Sequence, residues 1–229
     1  MIYVMSDIHG HKKEFDSLLE QIQFSDEDTL YVLGDVVDKG PEPMAILKQI
    51  MAAPNMKMLL GNHEHMMLGV LDFHGDDQYQ LYRNETVWGN NAGRYTRVKF
   101  EQETEADQKA IIQFLRSLPL NFTVKVGEVY YKLVHAAPIE LFGKIHSRYH
   151  DMETFVVWQR LGPEDDIPFD KPVIFDHTLT VYYQDIEPME IWHGDGWTGI
   201  DCGCAYDGRL ACLRLDDMAE FYSASVTEG

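Results

Sequence analysis

The chain opens on an unbroken apolar run at residues 2–5, which reads as a strand buried on both faces. Phe15, Leu18, Leu19 and Ile22 follow at i, i+3, i+4 and i+7, one face of an amphipathic helix over residues 11–22. A second apolar run at 29–33 ends in Gly34, and Pro41 and Pro43 open a helix with Leu47, Ile50 and Met51 inward. Residues 56–60 form a third run, closed by Gly61 and followed by a helix through Met66, Met67 and Val70. Strand, loop and helix repeat three times, the pattern of a parallel α/β unit.

The pattern then changes. Residues 76–118 are polar and predict helices, with Ile111, Phe114, Leu115 and Leu118 as a second amphipathic stripe, so this stretch is expected to be a helical insertion or cap. Apolar runs at 122–126 and 129–134 around Gly127-Glu128 predict a hairpin. A short helix near 153–160, a loop rich in Pro and Asp, a strand at 172–175 and closing strands around Ile200 and at 210–215 complete the expectation. No repeat, low-complexity tract or linker divides residues 1–229, which predicts one domain.

Composition narrows the function classes. With 45% hydrophobic residues in 229, the chain can bury a substantial core. Its formal charge of −19 repels a phosphate backbone, which argues against general nucleic-acid binding. An anionic substrate needs metals or a few arginines to reverse that potential locally. No apolar run approaches the roughly 20 residues of a membrane span, and the start lacks the basic and apolar regions of a secretory leader. Cys202, Cys204 and Cys212 have no metal-site spacing and are expected to be small buried thiols in a reducing cytoplasm. The Met-rich stretches (Met51, Met56, Met58, Met66, Met67) are expected in the core.

The chemistry lies directly after the three early strands: Asp7-Ile8-His9, Gly34-Asp35-Val36-Val37-Asp38-Lys39-Gly40 and Gly61-Asn62-His63-Glu64. Ligands in open α/β sheets bind outside the carboxyl ends of strands, so all three should meet in one crevice. His135 and His177 also follow apolar runs. Carboxylate, imidazole and amide oxygen are the donors of hard or borderline divalent metals. Asp7, His9, Asp35, Asn62, His135 and His177 are too many for one tetrahedral ion and suit two metals, with a carboxylate such as Asp35 spanning them. Helix capping explains a single Asp in such a loop but not the histidines and Asn beside it. His11, His65, His74, His146, His150 and His193 lack this context and are read as ordinary polar residues.

The order Asp-x-His, Gly-Asp-x-x-Asp-x-Gly, Gly-Asn-His-Glu, His, His resembles the calcineurin-like metallophosphoesterase signature, most of all its phosphoprotein phosphatase branch. The closing segments Ile200-Asp201-Cys202-Gly203 and Gly208-Arg209-Leu210 resemble those of bacterial members. The resemblance implies an α/β fold in which a two-sheet β-sandwich is flanked by helices. It places Asp7, His9 and Asp35 on a first metal, and Asp35, Asn62, His135 and His177 on a second, with manganese foremost and iron or zinc as alternatives. It makes metal-bound hydroxide the nucleophile and His63 the general acid, its ring fixed by Asp38. Asn62, Lys39 and Arg160 would contact the substrate phosphate, Arg160 because Val157-Trp158-Gln159-Arg160 resembles the family's Trp-x-Arg.

Two positions depart from the family. Lys39 stands where an arginine is usual, keeping the charge without the bidentate fork, and Asp176 replaces the glycine before the last histidine. The substrate class expected first is a phosphorylated protein, or a small phosphate ester, cleaved by a serine/threonine phosphatase type of chemistry. A symmetrical dinucleoside tetraphosphate hydrolase is the alternative, although that relative usually departs from the second Asp of the motif. A catalytically silent scaffold of the same fold is the second alternative, and it would be expected to have lost ligands that this chain retains. The sequence sets neither the metals nor the oligomeric state.

Overall fold

Strand β1 (Ile2–Met5) shows why its run is continuously apolar: Tyr3 and Met5 face one hydrophobic core while Val4 faces another. Strand β2 (Thr29–Val32) alternates in register with it, Leu30 and Val32 on one side, Tyr31 and the following Leu33 on the other. Between them lies α1 (Lys12–Gln21), whose Phe15 and Leu18 are fully buried. Helix α2 (Pro43–Ala52) starts on Pro43, whose missing N–H costs nothing in a first turn. It leads to β3 (Met56–Met58), parallel to β2, and α3 (Asn62–Leu71) follows. The computed structural model describes residues 1–162 and 170–226.

Residues 76–118 are helical, as α4 (Gln78–Asn90), α5 (Gly93–Glu101) and α6 (Glu105–Ser117). They pack against α2 and α3 through Trp88, Phe100, Ile111 and Leu115. The hairpin is β4 (Asn121–Val126) and β5 (Val129–Val134), followed by α7 (Met152–Trp158), β6 (Val173–Phe175), β7 (Trp192–His193), β8 (Trp197–Gly199), β9 (Ala211–Arg214) and β10 (Ala219–Tyr222). The Pro- and Asp-rich loop expected after residue 160 falls largely on 163–169, outside the described residues.

The strands form two five-stranded sheets, β10-β9-β1-β2-β3 and β4-β5-β6-β8-β7. Each contains three parallel strands, β1-β2-β3 on one side of the first sheet and β5-β6-β8 at the centre of the second. Val4, Leu33, Leu59, Leu133, Ile174, Ile200 and Leu213 fill the space between the sheets. Helices α1 to α6 cover the outer face of the first sheet, and α7 packs Phe155 and Val156 against Ala137 and Leu141. Truncating a residue as enclosed as Leu133 to Ala costs about 2–5 kcal/mol. This is the α/β, two-sheet, helix-flanked architecture expected, with two differences. The short strands β7 and β10 had no apolar run to announce them, and Ile200 lies just past β8 rather than within a strand. The three cysteines are free and buried, and burial pushes their thiols up. Of the methionines, Met58, Met66 and Met67 are buried in the helix-side core, with Met51 and Met56 packed against it.

Candidate functional site

Parallel strands present their carboxyl ends at one edge, and there the candidate residues collect. Asp7 and His9 follow β1, Asp35 and Asp38 follow β2, Asn62 and His63 open α3 after β3, His135 follows β5 and His177 follows β6. All eight are buried. The chain reaches this geometry at a conformational cost: Asp7, His9, Asp35, Asp38, Lys39 and His177 all have φ between 46° and 70°. Such left-handed non-glycine residues are uncommon, and their concentration at one edge is typical of a strained functional site. The loops also need glycine. A Cβ on Gly61 would lie 2.3 Å from Asp35 Oδ1, and one on Gly34 would lie 2.6 Å from the Gly61 backbone.

The imidazoles are aimed by the backbone. His9 Nδ1 donates to Val37 O at 2.9 Å and His135 Nδ1 to Leu33 O at 3.0 Å, because a carbonyl only accepts. Each ring therefore turns an Nε2 lone pair into the cleft. His9 Nε2 lies 2.8 Å from Asp7 Oδ1, and His135 Nε2 lies 3.0 Å from Asn62 Oδ1. Lone pairs facing oxygen acceptors suit a cation; at His9 the Lys39 ammonium already lies 3.0 Å from Nε2, whereas the His135–Asn62 contact has no such donor among the described residues. Asp7 Oδ2 is buried without a hydrogen-bond partner, a further open ligand atom.

Donor atoms of His9, Asp35 and His63 lie within 4.8 Å of one another, as do those of Asp35, His135 and His177, and those of Asp7, His135 and Asp176. Asp35 belongs to the first two groups, with Oδ2 3.8 Å from His9 Nε2 and Oδ1 3.6 Å from His135 Nε2. One carboxylate thus faces two ligand sets, the geometry of a bridge. Burial, with Asp7 and Glu64 nearby, raises Asp35 well above the carboxylate range. Burial acts on Asp7 in the same direction, but the adjoining His9 and the nearby Lys39 ammonium hold it below that range. Burial drives His9, His135 and His177 toward their neutral, metal-binding form, His135 to about 4. The residues present fit two divalent ions.

His63 is held differently. Its Nδ1 lies 2.6 Å from Asp38 Oδ2, and its Nε2 points toward Asp35 Oδ2 at 3.9 Å. Burial pushes its pKa down to about 4 against the pull of Asp38. Asp38 is itself gripped by the helical insertion: Trp88 Nε1 donates to its Oδ2 at 2.9 Å, and Thr96 Oγ1 accepts from its backbone N–H at 2.9 Å. The sequence reading passed over Trp88 and Thr96. It also passed over the work of Glu64, whose carboxylate accepts from the N–H groups of Asp35, Val36 and Val37 at 2.8–3.0 Å and of Gly61 at 3.2 Å. Glu64 therefore ties the β2 loop to the start of α3.

Lys39 Nζ lies 3.0 Å from His9 Nε2 and 4.4 Å from the centre of the Tyr206 ring. Burial opposes its charge, but Asp7 and Asp35 raise its pKa on balance. Lys39 and Arg160 both line a cleft of about 250 Å³ with Asp7, Asp35, Asn62 and His63. Asp176 is fully buried, 3.8 Å from His135 Nδ1, with neither carboxylate oxygen hydrogen-bonded. His193 pairs with Glu220 at the surface. His65, read from the sequence as ordinary, lines a groove that joins the cleft.

The Calcineurin-like phosphoesterase family model matches residues 1–210. A symmetrical bis(5'-nucleosyl)-tetraphosphatase of Proteus mirabilis is 37% identical over 276 aligned residues, covering 98% of each chain. Its counterpart in Delftia acidovorans is 45% identical over 69 residues, 29% of this chain, which there spans only 25% of the relative. A solved structure described as a candidate diadenosine tetraphosphatase superposes with a TM-score of 0.64 at 16% identity, covering 96% of this chain and 91% of that one, a likeness of fold. With the motifs at the strand ends and the two-sheet architecture already in place, the chain belongs to the calcineurin-like phosphoesterase family.

Proposed function

We propose that the chain is a metal-dependent hydrolase of dinucleoside polyphosphates, cleaving a symmetrical tetraphosphate into two nucleoside diphosphates. The observation that carries this reading is the shape of the site. The metal cleft holds about 250 Å³, below the usual size of a pocket for a whole ligand but ample for a phosphate group. It shares Asn91, Trp158, Arg160 and His177 with an adjoining groove of about 890 Å³. A substrate filling both is long, with a hydrolysed phosphate and a bulky remainder. The end-to-end likeness to a symmetrical tetraphosphatase supports the same substrate class.

In this reading Asp7, His9 and Asp35 hold one ion, and Asp35, Asn62, His135 and His177 a second. Bound there, the ions supply positive charge to the phosphate and activate water. The rest belongs to side chains. Lys39 and Arg160 face the phosphate oxygens across the cleft. His63 Nε2 carries the proton for the leaving oxygen, and Asp38 fixes Nδ1–H so that the proton sits on the correct face. Burial keeps the free ring neutral, and an anionic phosphate beside Nε2 favours the protonated form needed to donate.

The retained His63–Asp38 pair favours a second reading, hydrolysis of phosphomonoesters including phosphoserine and phosphothreonine in proteins. Chromatography of a dinucleoside tetraphosphate incubated with Mn²⁺-loaded protein separates the two. Nucleoside diphosphates as the sole products support the proposal. An intact dinucleotide beside rapid hydrolysis of an aryl phosphate contradicts it and leaves the monoesterase.

A further inference from the structure

The groove gathers three arginines on a surface dominated by carboxylates. The formal net charge is −19, and four of the eight arginines lie within 4.0 Å of a carboxylate, while Arg94, outside the groove, has none among the described residues. Arg97 pairs with Glu85 and Glu101, Arg116 with Asp72, Arg209 with Glu190 and Arg214 with Asp217. Arg83, Arg148 and Arg160 line the groove, and among the described residues none has a carboxylate within 4.0 Å. Three exposed guanidiniums without an ion pair to any described residue form a local positive field, the arrangement that draws and orients a polyanion.

Their placement is graded along the groove. Arg160 lies where groove and metal cleft meet, since it lines both. Arg83 comes from α4 in the helical insertion, and Arg148 from the loop before α7, so the groove runs outward between two elements. Aromatic faces accompany the charges: Trp158 borders both spaces, and the Tyr149 ring lies 5.4 Å from the Arg148 guanidinium. Guanidiniums for phosphate oxygens and flat rings for a base are the two recognition elements that one half of a dinucleotide requires.

We propose that Arg83 and Arg148, with Arg160 at the junction, hold the phosphates and nucleoside beyond the scissile bond and so set a preference for a polyphosphate chain over a phosphomonoester. This rests on the dinucleoside polyphosphate reading above. A phosphomonoester, whose phosphate lies within the metal cleft, does not reach Arg83 or Arg148. A tetraphosphate does.

The test compares kcat/KM for a dinucleoside tetraphosphate with that for p-nitrophenyl phosphate in wild type, Arg83→Gln, Arg148→Gln and the double variant, all Mn²⁺-loaded. Both arginines are exposed and make no ion pair with a described residue, so neither substitution disturbs the core. Losing one charge-assisted contact lowers the ratio of the two constants by about tenfold, and losing both lowers it further. Arg214→Gln, on the distant strand β9, should leave the ratio unchanged. If wild type cleaves the dinucleotide and the ratio is the same in all groove variants, the subsite is wrong while the proposed function stands. If wild type cleaves no dinucleotide, both fall together.

Discussion

At the residue scale, the site depends on side chains that shape loops as much as on those that face the cleft. Glu64 accepts four backbone N–H groups, three of them from the loop that carries Asp35 and Asp38. Glu64→Ala leaves those buried donors without a partner and is expected to cost about 3 kcal/mol or more, read as a fall in denaturation midpoint. Asp201 lies in the same cleft, and burial, with Asp7 nearby, pushes it up to about 8. The folded state thus binds a proton between about pH 4 and pH 8 that the unfolded state releases, so this group makes stability fall as pH rises through that window. Asp201→Asn removes the effect. In chelator-treated protein the variant should gain on wild type by up to about 1.4 kcal/mol per pH unit across the window, measured by urea denaturation. A gap that stays constant with pH would show that Asp201 is ionised throughout. Asp7, Asp35 and the histidines were legible in the sequence because each ends an apolar run, where a polar cluster has few structural explanations. The tether made by Glu64 was not, because nothing in Gly-Asn-His-Glu says which backbone groups its last residue will meet.

At the element scale, the helical insertion does more than cover the core. Trp88 on α4 and Thr96 on α5 reach Asp38 across 50 and 58 residues of chain. A Cβ on Gly93 would lie 2.3 Å from the indole, so this glycine makes room for the ring. Trp88→Phe keeps the apolar packing and removes the N–H, loosening the carboxylate that orients His63. Substrates with poor leaving groups should slow by about tenfold more than those with good ones, because only the former need the proton. Equal slowing of both would assign Trp88 a packing role alone. Gly93→Ala should weaken the same arrangement by displacing the indole. The insertion's existence and helical nature could be read from residues 76–118, but its grip on Asp38 could not. Contacts of such separation leave no periodic trace, and Trp88 sits in an otherwise polar helix. The two-residue strand β7 and the half-exposed edge strand β10 escaped for a related reason: neither buries enough apolar surface to mark the sequence.

At the scale of the whole molecule, the parallel strands of two sheets direct their ends to one edge, where an acidic protein gathers His and Asp groups able to hold metal ions. No helix among the described residues is long and apolar enough to cross a membrane. Metal loading should stabilise the fold, since ions binding only the native state at about 100 times their Kd contribute about 2.7 kcal/mol. Chelation should therefore lower the thermal midpoint, and Mn²⁺ should restore it. In the proposed site Asp35 spans two ions. Elemental analysis of chelated and Mn²⁺-reloaded protein, wild type beside Asp35→Asn, tests it most directly. Wild type should bind about two equivalents per chain and the variant about one or fewer. A wild type that saturates at about one equivalent, or a variant that keeps about two, would contradict it.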